Sequence, residues 1–238
     1  MQLPEHEKRA HREAFRNMTL GQKAEYIFAY YKLPLVLALI VLVALGSVLN
    51  QRLTYKKPIL YVGMTNVSLD EESELVLTEN YVTYRGLSTR TDEVYFYRDL
   101  YLAEAESSSD HQYSYASRLK LLASIDAEEL DVVVMNQQAY DLLSHSGFLM
   151  DLTTQGLTVP DELASRLVTN DVIVSDNELE VRLNEADVYE AVTEKSTNAF
   201  DVSDCTVFQN LPGTIYVGII GNTPRPEEAL AYIQYLCS

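Results

Sequence analysis

The chain contains no tryptophan, two cysteines and four histidines among 238 residues, and beyond residue 57 it has few cations. Each shortage closes off a class of function. Without tryptophan it lacks the usual platform for stacking sugars, although tyrosine is abundant, with 17 copies. Two cysteines make at most one disulfide and cannot complete a zinc site by themselves. Of the histidines, only His111 and His145 lie in the C-terminal three quarters. Neither belongs to an H-E-x-x-H helix, a G-x-S-x-G elbow or a phosphate loop. Nothing matches the spaced acids of a calcium loop. These absences predict a protein that is not an enzyme and holds neither metal nor cofactor.

Charge divides the chain. Residues 1–57 carry nine cations and four anions, net +5, and residues 58–238 carry nine cations and 31 anions, net −22, which together give the −17 of the whole chain. A surface so acidic repels phosphate backbones, which excludes nucleic acid as a partner of the larger part.

Between these parts stands an uncharged apolar run, LPLVLALIVLVALGSVLNQ, at residues 33–51. As a helix its 19 residues span roughly 28 Å, near the ~30 Å of a bilayer's hydrocarbon core. Six cations precede it, Lys8, Arg9, Arg12, Arg16, Lys23 and Lys32; three follow closely, Arg52, Lys56 and Lys57. The positive-inside rule then predicts a single-pass membrane protein, its N-terminus cytoplasmic and its C-terminal domain outside the cell. Tyr26, Tyr30, Tyr31 and Tyr55 stand where an interfacial aromatic belt would lie. The rival reading is a cleaved secretory leader with Ala44 and Gly46 at a small-x-small site, against which stand a 32-residue segment before the run and the length of the run itself.

The expected organisation is thus a cytoplasmic amphipathic segment at 1–32, a transmembrane helix at 33–51, a tether at 52–57 and an extracytoplasmic α/β domain at 58–238. Its partners are the lipid bilayer, through residues 33–51, and a membrane protein docked on the anchor or its entry helix. That entry begins at Thr19, where Thr19-Leu20-Gly21-Gln22 fits a capping box, and Pro34 stands where it would bend. The string NMTLGQKAEYIFAYYKLP, followed by the apolar run and KKPILYVGMTN, resembles the start of a group of uncharacterised single-pass membrane proteins of Gram-positive anaerobic bacteria. That resemblance brings no known activity.

In the outer domain, ILYVGMT (59–65) reads as a buried strand, residues 69–79 as a helix although Leu75 to Thr78 equally suit a strand, and YVTYRGL (81–87) with DEVYFYRDLYLAE (92–104) as a hairpin or a paired insertion with Gly86 between them. Helix 115–124, strand LDVVVM (130–135) and helix 137–144, closed by Gly147, imply a parallel α/β arrangement, with FLMDL (148–152) returning to the sheet. TIYVGII (214–220) and the helix from Glu227 to Cys237, with Pro226 near its first turn, repeat that pattern.

The segments IDAEELDVVVMNQQAYDLLSHSGFLMDLT and TIYVGIIGNTPRPEEALAYIQYLC resemble lobe elements of type II extracytoplasmic solute-binding proteins. The resemblance implies a periplasmic-binding-protein-like three-layer α/β fold. Only 63 residues, Asp151 to Gly213, remain for a second lobe, so that lobe is expected to be reduced. Function follows as a membrane-anchored, solute-binding-like receptor or transport accessory for a small solute or peptide. The alternative is a structural or assembly subunit that kept the fold and lost the pocket.

Ligands of open α/β sheets sit beyond the carboxyl ends of the strands, at the topological switch point. That rule selects Thr65, Asn66, Asn136 and Gln137 as candidate ligand-binding residues, although such groups at strand ends equally cap the following helix. Seven tyrosines between 81 and 115 serve either as strand packing or as a platform. Cys205 and Cys237, 32 residues apart in the outer part, form either a disulfide or two separate thiols.

Overall fold

The computed structural model describes residues 19, 21, 34, 36–47, 55–102, 111–153, 156–183 and 188–238. Apart from Thr19 and Gly21, the expected cytoplasmic segment lies outside the described residues, as do 48–54, 103–110, 154–155 and 184–187. The chain divides into two units, Met1–Tyr55 and Lys56–Ser238.

In the first unit, residues 34 and 36–47 are helical. Apolar side chains on every side of this helix are exposed, from 49% at Val36 to 68% at Leu42. Among the described residues no helix is long and apolar enough to cross a membrane. The described stretch 36–47 alone measures about 18 Å.

The second unit is a mixed sheet with helices on both faces. β1 (Lys57–Thr65) leads to α1 (Glu71–Leu75), a π-helical turn (Val76–Asn80) and α2 (Tyr81–Tyr84). β2 (Asp92–Leu100), α3 (His111–Asp126), β3 (Val132–Asn136) and α4 (Gln137–His145) follow. After α5 (Asp161–Ala164) come β4 (Leu167–Asp176), α6 (Glu178–Arg182), β5 (Ala191–Asp201), β6 (Ile215–Ile219) and α7 (Pro226–Leu236). The strand order is β2-β1-β3-β6-β5-β4. β1 is parallel to β2 and β3, whereas β6 is antiparallel to β3 and β5, and β5 to β4. The arrangement is therefore mixed where the helix-strand-helix pattern predicted a parallel one.

Side-chain alternation along the central strands builds two cores. Leu60, Val62, Met64, Val132 and Val134 pack under Leu77, Tyr81 and Val82 and under Ala229, Tyr232 and Ile233 of α7. Val133 and Met135 face Leu121 and Ile125 of α3 and Ala139, Tyr140 and Leu143 of α4. Three layers result. Gly218 of β6 has no room for a side chain, since a Cβ there would lie 2.9 Å from Leu149 and 3.0 Å from Met135.

Two further expectations are corrected. YVTYRGL is not the first arm of a hairpin, because Tyr81–Tyr84 is helical and β2 pairs in parallel with β1. The helix starts at Asp70, whose carboxylate accepts from the Ser73 amide at 2.8 Å and caps it. Gly86, at φ +71°, ends it: its amide bonds the Thr83 carbonyl and that of Leu87 bonds Val82, the pattern of a Schellman cap. The π turn has its own support. Tyr232 and Tyr235 of α7 donate to the carbonyls of Leu77 and Val76, at 2.9 and 3.0 Å.

The second correction concerns residues 151–213. They build no second sheet among the described residues, and instead add β4 and β5 to the same one. β5 pairs with β6 only at Phe200 and Asp201, and the rest of it runs out with β4 as a long arm. Leu149–Leu152 fills the gap that β5 leaves, through a bridge between Leu149 and Ile220 and a bond from the Leu152 amide to Thr197.

Candidate functional site

β1 and β3 lie side by side, yet their onward connections go opposite ways. From β1 the chain crosses one face through the π turn and α2 to β2; from β3 it crosses the other face through α4. A crevice opens where two such connections part. Here it is an open cleft of about 320 Å³ lined by Asn66, Val67, Ser68, Asp99, Tyr101, Tyr113, Asn136 and Gln138, among others. Two of the four residues selected from sequence, Asn66 and Asn136, therefore share one cleft, while Thr65 and Gln137 are not among its lining.

Each selected side chain has a structural task. Asn66, in the left-handed region at φ +57°, donates through Nδ2 to the Leu102 carbonyl at 2.6 Å and accepts from the Leu102 amide at 2.8 Å. That clamp ties the end of β1 to the chain leaving β2. Asn136 accepts from the Ala139 amide at 3.0 Å and so caps α4. Gln137 accepts from the Tyr216 hydroxyl at 2.6 Å and donates to Asp141 at 3.0 Å. The Thr65 hydroxyl is fully buried, and it is the sole buried side-chain polar atom among the described residues with no hydrogen-bond partner. Leaving such a group unpaired costs about 1–3 kcal/mol.

Sequence reasoning missed Asp99 and Gln138 at this site, and it named Tyr101 and Tyr113 only among the seven tyrosines that pack strands or make a platform. Asp99 is also left-handed, at φ +57°, and its carbonyl accepts from the Tyr113 hydroxyl at 2.9 Å. Two left-handed residues thus end neighbouring strands at the cleft, a local strain of order 1–3 kcal/mol each, eased because Asn and Asp tolerate this conformation. Tyr101 and Tyr113 pair with ring centroids 6.2 Å apart. The one charged side chain in the lining is Asp99, exposed and negative. The signal for these residues was spatial, since α3 brings Tyr113 to β2 across a loop.

Several buried tyrosines are structural. Tyr81 meets Tyr232 edge to face at 4.8 Å and donates to Glu228 at 2.6 Å. Burial, aided by Glu228, pushes its pKa far above that of free tyrosine. Tyr140 stacks on Tyr216 at 4.5 Å and donates to the buried Asn198, which donates in turn to Ser144. Asp131, fully buried at the start of β3, is held by Arg225 at 2.9 Å, by the Tyr61 amide at 2.8 Å and by the Thr223 hydroxyl. Cys205 and Cys237 are joined, with Cα atoms 5.0 Å apart.

His145 sits in the last turn of α4 near Asp176, Glu178 and Tyr189. Among the described residues no group of three or more His, Cys, Asp or Glu side chains is placed to hold a metal ion. Compared with known proteins, the chain matches no family model, no curated protein and no solved structure.

Proposed function

We propose that the chain is a membrane-anchored, non-catalytic recognition protein whose acidic α/β domain lies outside the cell and takes a small polar solute at the switch-point cleft. The observation that carries this reading is the cleft itself, at the place where open α/β sheets bind ligands. Its lining favours a neutral or cationic solute, because its one charge is the Asp99 carboxylate and the domain around it is strongly acidic. The three-layer unit supports the resemblance to type II solute-binding proteins, although the single sheet of the described residues provides one wall of such a site and no second lobe to close it. The anchor is the 33–51 run, whose described helical part is apolar and exposed on every side, as a helix surrounded by lipid would be. The Cys205–Cys237 bond suits an oxidising, extracytoplasmic setting.

Thermal melting of the full-length chain in neutral detergent, against amines, amino acids, sugars and short peptides, tests the reading. A ligand at one hundred times its Kd adds about 2.7 kcal/mol and raises Tm by roughly 5 °C or more. Asp99→Asn keeps the left-handed backbone and removes the charge, so it should weaken a cationic ligand and leave Tm without ligand unchanged. A flat panel, or equal response of wild type and variant to every cation, refutes it. Protease treatment of intact cells checks topology, with digestion of the acidic domain as the expected result.

The second reading, an assembly subunit without a ligand, draws on the absence of a closing lobe among the described residues and on the prior engagement of Asn66, Asn136 and Gln137 in the fold.

A further inference from the structure

The β4–β5 arm carries six large apolar side chains in solvent within nineteen residues: Val174, Leu179, Leu183, Val188, Tyr189 and Val192, each 49–69% exposed. Burial is what normally justifies such residues, and an exposed group of them marks an interaction site. The arm is also built to hold them in place. Asn177 donates to the Val188 carbonyl at 2.9 Å and accepts from the Glu190 amide at 2.7 Å, while its own amide bonds the Glu190 carbonyl at 3.1 Å. Tyr189 donates to Asp176 at 3.2 Å. The Leu183 amide bonds the Leu179 carbonyl at 3.0 Å, so the two leucines stand one helical turn apart on the same side. At the root, the chain from Tyr140 through Asn198 and Ser144 to the Asp171 carbonyl, with Asn170 on Asp141, fixes the arm to α4.

Charge decides what covers this patch. Residues 171–195 hold eight acids and two cations, and both cations are already paired, Arg182 with Glu178 at 2.7 Å and Lys195 with Asp171 at 2.9 Å. A second copy of the arm, or an anionic bilayer, would meet it with charge of the same sign.

We infer that the arm is a docking surface for a basic amphipathic helix of a partner protein. The partner's apolar stripe covers Leu179, Leu183 and Val188, and its flanking Lys and Arg side chains meet the acids along the rim. This surface is separate from the cleft and stands whether or not the cleft binds a solute.

The probes are two synthetic helical peptides with the same leucine stripe, one rimmed by lysine and one by glutamate. Each is added to the full-length chain in neutral detergent, and hydrogen exchange is read along residues 174–192. The lysine-rimmed peptide should protect the arm and the glutamate-rimmed one should not. Leu179→Ser/Leu183→Ser/Val188→Ser should weaken binding by about tenfold or more, with an unchanged melting temperature. Glu180→Lys/Glu190→Lys/Glu194→Lys keeps the apolar stripe and should transfer preference to the glutamate-rimmed peptide. Equal protection by both peptides, or none, overturns the inference. So does protection of the arm that rises with the chain's own concentration, or protection by phosphatidylglycerol vesicles without peptide.

Discussion

At β1, β3 and β6 the sheet is sealed on both faces, and every residue from Val132 to Met135 is fully buried, whereas at its other side β5 leaves β6 after two paired residues and runs into solvent with β4. The first region derives its stability from apolar packing between helices, with one buried ion pair and one disulfide as fasteners. The second is held by polar bonds at its root and tip, and leaves its apolar side chains outward. A residue's hydrophobicity therefore means different things in the two places: core in one, contact surface in the other.

The sharpest way to break the packed region is Asp131→Ala, which removes the buried carboxylate shared by Arg225, the Thr223 hydroxyl and the Tyr61 amide and should cost about 3–5 kcal/mol in denaturant unfolding. Removing the clip with Cys205→Ser/Cys237→Ser should cost about 2–4 kcal/mol, because the loop it closes in the unfolded chain is freed. Tyr232→Phe leaves the Leu77 carbonyl of the π turn without its donor and should cost about 1–3 kcal/mol.

The tyrosines also set an alkaline limit. Burial holds Tyr81, Tyr140 and Tyr232 neutral well beyond pH 10 and, together with Glu129, pushes Tyr97 up to about 12. Folded pKa values raised above the unfolded value mean that stability is fully present below about pH 10 and declines from there upward, between about 10 and 12 for Tyr97. The share of the phenolate absorbance that belongs to Tyr81, Tyr140 and Tyr232 should therefore appear only together with loss of secondary structure; a complete phenolate signal from all 17 tyrosines while the fold persists would contradict this. At the small end, Leu179→Ser/Leu183→Ser in the arm should change stability by no more than about 0.5 kcal/mol, and a larger loss would show that the arm's leucines belong to the core.

Much of the packed region was legible because its signals are local. ILYVGMT and LDVVVM are apolar runs of strand length, Gly147 closes α4 with φ +70°, and Pro226 opens α7. Tyr81–Tyr84 was misread because Tyr, Val and Thr favour strands. Its helix is imposed by the Asp70 cap and by contacts with Tyr232 and Glu228 about 150 residues away. The arm was illegible for a related reason: neither LVTNDVIVSD nor AVTEKSTNAFD alternates regularly, and nothing in their residues tells that the sheet will not follow them. At the cleft, strand ends pointed to Asn66 and Asn136, but Asp99 and Tyr113 reach it by way of β2's parallel pairing and of α3.

The order of the strands has a consequence for how this molecule is made. β6, which begins only at Ile215, occupies the middle of the sheet between β3 and β5, and α7 directly after it covers the core and carries Cys237. A chain emerging from its N-terminus has five strands available before the sixth arrives to join β3 to the β4–β5 pair. Until then the β3 edge stays open, and the arm meets the rest through α4 and the 149–152 segment without its place in the sheet. Nascent chains lacking the last two elements should thus be soft targets for proteases and in need of a chaperone, so that quality control of the whole domain rests on fewer than thirty residues.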